Sequence, residues 1–263
     1  MKNIIFSLIF LCICKLSFAQ NNIEHKISKI AVDHLFFLID TKDTGVLKTL
    51  QEAGLTAASK WQTPHAGQGT TGNFFFFLNT YIELLVITDT AEASNNTQNF
   101  GHNVNNRVRS GHSRLGIGLR QIPFKKDSIP FATQVYKQKW MGRESLYMAT
   151  ANINLQQPLI FLEPPAFANM VVEKLSDLDK YAAANPEMKT YRQHAAGIEN
   201  LTGIEIYTKD KKSKWGSHLN YVAKLNHITI KKVKRNFAVL VFDNSRQGKT
   251  IDFKKELGLI IKY

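Results

Sequence analysis

Four side chains able to bind a cation or move a proton recur at nearly equal spacing. His34 precedes Glu83 by 49 residues, and His112 precedes Glu163 by 51. Each pair joins an early strand to the last strand of its stretch, so a pseudo-twofold axis could bring all four together. Two imidazoles and two carboxylates suit a divalent metal with open coordination positions. Such an ion polarises a carbonyl, and a displaced Glu163 would then serve as catalytic proton shuttle. Each residue also has a structural reading. His34 could be a hydrogen-bonded core histidine, and Glu83 could pair with a buried arginine such as Arg120 or accept turn amides. His112 depends on register: a shift of one puts Ser113 in its place, and Arg114 lies 49 residues before Glu163.

Glu83 stands in the stretch TPHAGQGTTGNFFFFLNTYIELLVIT, residues 63–88, where a glycine-broken turn runs into four phenylalanines and then an apolar strand. An unpaired carboxylate there costs several kcal/mol, so it must be paired, hydrogen-bonded or metal-bound. His65 and Asn73 flank the turn and would either bind an oxygen-rich ligand or cap the turn itself. Arg120 would take a substrate carboxylate in a two-pronged contact or lie on the surface. His194 would reach the same cavity or remain a loop residue.

These residues need strands to position them. Ile30–Ile39 reads as a strand, with Ile30, Val32, His34, Phe36 and Leu38 on one face by the period of two. A helix follows over Thr44–Ala53, with Val46, Leu47, Leu50 and Ala53 as its apolar stripe and Gly54 ending it. Strands are expected near 55–62, at Phe74–Phe77 and at Tyr81–Thr88. Residues 90–110 are asparagine-rich and read as a connector loop. A second unit over 111–165 begins with HSRLGIGLRQ, whose glycines mark either close approach by a ligand or another backbone or a polar, solvent-facing sheet surface. It continues with a helix near 130–140 and strands at Glu144–Ala151 and Leu159–Glu163, the last stopped by Pro164-Pro165. Residues 166–200 form a helical and irregular connector. Residues 201–263, a third, partial unit or a C-terminal strand extension, carry strands at 201–208, 227–233, 237–243 and 257–263 and a helix over 214–225. The recurring order argues for an α+β protein built from repeated βαβββ modules.

DHLFFLID, PHAGQGTTGN and YIELLVI resemble the glyoxalase-like branch of the vicinal oxygen chelate superfamily. PLIFLEPP and HAAGIENLTGIEI resemble its second acidic strand and the segment after it. The likeness covers roughly residues 30–208. It implies modules, the first at 29–89, whose sheets curl around a shared cavity. In metal-dependent members that cavity holds a divalent ion that binds two neighbouring substrate oxygens. On this resemblance His34, Glu83, His112 and Glu163 are the metal ligands, and a small molecule is the ligand. Members include isomerases, lyases, ring-cleaving dioxygenases and proteins that only bind antibiotics, so the likeness describes a site better than a reaction.

Composition narrows the classes. Residues 1–19 read as a secretory signal, from Lys2 through the apolar Ile4–Ile13 to Ser17-Phe18-Ala19, too short to span a bilayer. A lipid-anchored Cys12 or Cys14 is the alternative, disfavoured by the large residues before each. The chain is then exported, periplasmic or extracellular, with no stable membrane insertion after cleavage. Both cysteines of the chain lie in this leader, which leaves no thiolate or disulfide and restricts a metal to His, Asp and Glu. Zinc, nickel, manganese or iron(II) fits such a set. The net charge of +13 is spread over the chain with no nucleic-acid motif, so nucleic acid is not expected as a partner. Export argues against the cytosolic glyoxalase I reaction, which needs a thiol cofactor. The expected function is a divalent-metal-dependent lyase or isomerase acting on adjacent oxygens. The alternative is a metal-free small-molecule binding or sequestration protein. An extradiol iron dioxygenase would want a single carboxylate on its metal.

Overall fold

The computed structural model describes residues 29–40, 45–101, 103–109, 111–181 and 185–263. The signal expected over residues 1–19 and the polar lead-in after it lie outside these. Among the described residues no helix is long and apolar enough to cross a membrane.

The chain is an α+β protein with one strongly curled eight-stranded sheet and a second sheet of five strands. The first contains β1 (Lys29–Ile39), β2 (Thr63–His65), β3 (Thr70–Phe76), β4 (Tyr81–Ile87), β5 (Leu115–Ile122), β6 (Thr133–Tyr136), β7 (Leu146–Ala149) and β8 (Leu159–Leu162). Their order is β2-β3-β4-β1-β5-β8-β7-β6. β1 and β5 meet antiparallel at the centre. Outward from them, β1 pairs parallel with β4 and β5 parallel with β8, and the remaining pairs are antiparallel. The second sheet is ordered β10-β9-β11-β13-β12, from β9 (Leu201–Thr208), β10 (Ile228–Lys232), β11 (Phe237–Phe242), β12 (Thr250–Phe253) and β13 (Leu259–Lys262).

The first sheet is buried on both faces, which is why β1 and β4 read as nearly continuous apolar runs. Leu35, Phe37, Phe75, Phe77, Leu84 and Ile117 pack against Ile204, Leu240, Phe242 and Ile261 of the second sheet. Each fully buried aromatic or branched side chain contributes about 2 kcal/mol to this core. The other face carries Phe36, Leu38, Leu85, Ile87, Met148 and Phe161. It is covered by α2 (Thr90–Phe100) and α3 (Val104–Arg109), which supply Ala93, Val104 and Val108. α1 (Gly45–Glu52) packs Val46 and Leu50 into the inter-sheet core, and Gly54 leaves it at φ +89°.

Several expectations change. The connector over 90–110 is mostly helix. Asp89 caps α2 by accepting from the Ala91 and Glu92 amides, and Gly101 closes it in the left-handed region. Its asparagines are then used as side chains: Asn96 donates to the Tyr136 hydroxyl and Asn105 to the Thr90 carbonyl. These tertiary bonds outweigh the weak helix propensity of asparagine. In place of a strand near 55–62 there is a short 3₁₀ turn at Ser59–Trp61 before the three-residue β2. In place of a helix near 130–140 there is β6 and a 3₁₀ turn at Lys139–Met141. The helix expected over 214–225 is the shorter α5 (Ser217–Val222), preceded by α4 (Glu187–Tyr191) within the irregular connector. β12 was not expected.

Candidate functional site

The site begins with an irregularity in β1. Val32 pairs with Leu119 and His34 with Gly118, so Asp33 is an extra residue in the ladder. A bulge turns two successive side chains to one face. Asp33 and His34 therefore both project onto the face shared by Phe36 and Leu38. Ile30 and Val32 fall on the inter-sheet side instead, which corrects the expectation that they share the face of His34.

The His34 ring stacks parallel on Tyr81 of β4, with centroids 4.3 Å apart and 9° between planes. Its Nδ1 lies 3.3 Å from Asp33 Oδ1 and 3.7 Å from Glu163 Oε1. Gly118 makes this possible, because a Cβ there would sit 2.2 Å from His34 Cε1, and Gly116 does the same for Phe36. The glycines of β5 thus admit the rings of β1. Gly118→Ala is expected to displace the His34 ring and destabilise the protein by about 1–3 kcal/mol. Denaturant unfolding checks the stability change, and a shifted His34 imidazole resonance checks the displacement.

Glu163 continues the β8 ladder by donating its amide to the Leu119 carbonyl at 2.8 Å, after which Pro164-Pro165 ends the strand. Asp33, His34 and Glu163 offer ligand atoms that all lie within 4.8 Å of one another, and all three residues are buried. This cluster could hold a metal ion. Burial first, then the negative Asp33 and a hydrogen bond to it, then Glu83, push the Glu163 carboxyl well above the usual range, while Arg120 pulls it down. Burial pushes Glu83 up to about 8. Glu83 Oε1 and Glu163 Oε2 are buried without a hydrogen-bond partner. Buried carboxylate oxygens are seldom left so.

Glu83 lies beside the cluster but outside the set within 4.8 Å. Its Oε1 is 4.0 Å from His65 Nε2, in space left by Gly72. His65 stacks on Trp140 at 4.7 Å, and burial lowers it to about 4. Arg120 reaches the cluster from β5, with Nη1 3.6 Å from Asp33 Oδ2. Asn73 alternates onto the inter-sheet side beside Leu84, whose carbonyl accepts from its amide at 3.5 Å. His112 precedes β5 beside α3, its Nδ1 3.4 Å from the Asn106 carbonyl, and the structure does not bring it to the cluster. The register alternatives are used elsewhere too: Ser113 donates its amide to the Leu155 carbonyl and Arg114 donates to the Val108 carbonyl. His194 is a clamp. Its Nδ1 accepts from the Thr56 amide at 2.9 Å, which leaves Nε2 to donate to the Phe76 carbonyl at 2.9 Å.

Sequence reasoning missed Asp33 and Tyr81 as site residues. Asp33 was readable as a second costly polar group beside His34 in an apolar strand, but strict alternation sends it to the other face. Tyr81 stands two residues before Glu83 and so shares its face.

No family model matches the chain, and no curated protein matches it in sequence. Its fold is similar to that of a solved structure described as a hypothetical protein from Staphylococcus aureus, with a TM-score of 0.51 at 10% identity. That likeness covers 89% of this chain and 98% of the other.

Proposed function

We propose that the chain is an exported glyoxalase-like protein in which Asp33, His34 and Glu163 hold one divalent cation. The activity would be that of a lyase or isomerase acting on a small substrate with adjacent oxygens. The observation that carries this reading is the convergence of an Asp-His pair from β1 with a carboxylate from β8 whose Oε2 has no hydrogen-bond partner. One imidazole and two carboxylates fit zinc, nickel, manganese or iron(II). Support for the modular reading comes from the matched pairing on either side of the β1–β5 seam. The second sheet begins in the same sense, with β9 parallel to β10 and antiparallel to β11.

When bound, the cation supplies Lewis-acid polarisation of a substrate oxygen. The chain's own residues do the rest. Tyr81 and Gly118 hold the imidazole in place. Glu163 Oε2 takes a proton from a hydroxyl-bearing substrate carbon and returns it to the neighbouring carbonyl carbon while the hydroxyl proton passes to the former carbonyl oxygen, an isomerisation in which no atom is lost. Neutral Glu83 donates a hydrogen bond to a developing oxyanion.

The test is elemental analysis of protein purified without chelator, with about one divalent ion per chain expected. Metal-free protein that binds its ligand equally well after chelation would favour a second reading, a metal-free binding protein. One observation supports that second reading: Asp33 and Glu163 hydrogen-bond to each other directly, which links the two carboxyls without an ion.

A further inference from the structure

The functional reading leaves the Arg120 guanidinium unexplained. Arg120 Nη1 is buried and has no hydrogen-bond partner. Its nearest anion, Asp33 Oδ2, is 3.6 Å away and accepts instead from the Asn169 amide at 2.8 Å. Asp33 Oδ1 faces the His34 ring. Asp33 Oδ2 thus forms an ion pair with Nη1 but lies beyond hydrogen-bond reach, so the guanidinium, a donor only, keeps an unmet N–H beside the cluster. A buried unsatisfied donor of this kind costs free energy that a bound acceptor recovers.

We propose that Arg120 is a substrate-binding residue and that the substrate is an anion: a small carboxylate with a hydroxyl or carbonyl oxygen on the adjacent carbon. Arginine meets a carboxylate through parallel N–H donors, a geometry neither an alcohol nor an amide can match. A carboxylate with an oxygen on the adjacent carbon carries the neighbouring oxygens that the functional reading requires, and this inference rests on that reading. Size is limited by burial. Asp33, His34, Glu83 and Glu163 are each no more than 7% exposed, so the occupant is a few carbons long.

The experiment is calorimetric titration of the full mature protein, as purified and after chelation, with lactate and pyruvate as probes and lactamide as the neutral counterpart. Lactate and pyruvate are expected to bind at least about tenfold more tightly than lactamide. Arg120→Met is expected to lose that preference by roughly 10–100-fold, with metal content unchanged. Arg120→Lys, which keeps the charge but not the paired donors, is expected to retain only part of it. Equal affinity for lactate and lactamide in the unaltered protein overturns the proposal without any variant having to fold, and leaves the cation reading standing if the ion is present. Arg120-dependent carboxylate binding in a protein that never holds metal leaves this proposal standing and removes the cation.

Discussion

Glu163→Gln is expected to lower divalent-metal affinity by about 100-fold or more, so that protein purified without chelator carries little metal. Substitutions one shell further out already cost 10–100-fold at typical sites, and here a negative ligand oxygen is replaced at nearly constant volume. The same change removes a buried acid whose charge is disfavoured by burial and by Asp33. The metal-free form of the variant should therefore unfold at the same or slightly higher denaturant concentration than metal-free parent protein. Loss of metal without loss of fold separates a ligand from a structural acid. Glu163→Gln protein that retains a full equivalent of tightly bound metal would remove Glu163 from the ligand set. Glu83→Gln, by contrast, changes a residue beside the cluster and is expected to weaken metal binding far less.

Metal-stripped protein is expected to be most stable near neutral pH and to lose stability toward and beyond pH 8, at no more than about 1.4 kcal/mol per unit for the one proton held by Glu83. The sign follows from two sets of groups. Burial raises Glu83 to about 8. Between about 4.5 and 8 the folded state therefore holds a proton that the unfolded chain releases, and this contribution is complete at low pH and lost as pH rises through 8. Burial lowers His65, His194 and His218 to about 4. Below about 6.5 the unfolded chain takes up protons that these buried rings refuse, so their contribution disappears as pH falls toward 4. Three histidines outweigh one glutamate on the acid side, which places the maximum where the imidazoles are already neutral. Denaturant unfolding at pH 5, 6.5 and 8 in the presence of chelator measures the profile. Glu83→Gln should make the alkaline limb shallower, leaving the part due to the raised Glu163, and leave the acid limb alone. A parent protein whose stability rises steadily from pH 6.5 to 8 would show that Glu83 is charged in the folded state.

The amino-acid sequence by itself determined the α+β class, most strands of both sheets and the exposure of a problem at His34, Glu83 and Glu163. Those features are local: period-two apolar runs, a Pro-Pro stop after Glu163, and carboxylates placed where burial makes them costly. Spacing could not say which polar groups meet. That depended on a bulge at Asp33, which no alternation rule contains, and on a register that sets His34 opposite Gly118. It also depended on long-range partners. Asn96 and Asn105 turn an asparagine-rich stretch into helix because Tyr136 and Thr90 are there to accept from them. His194 is committed to Thr56 and Phe76, more than a hundred residues earlier in the chain. Only the tertiary structure decided these points, because a hydrogen-bonding side chain takes its role from the partner the fold delivers to it.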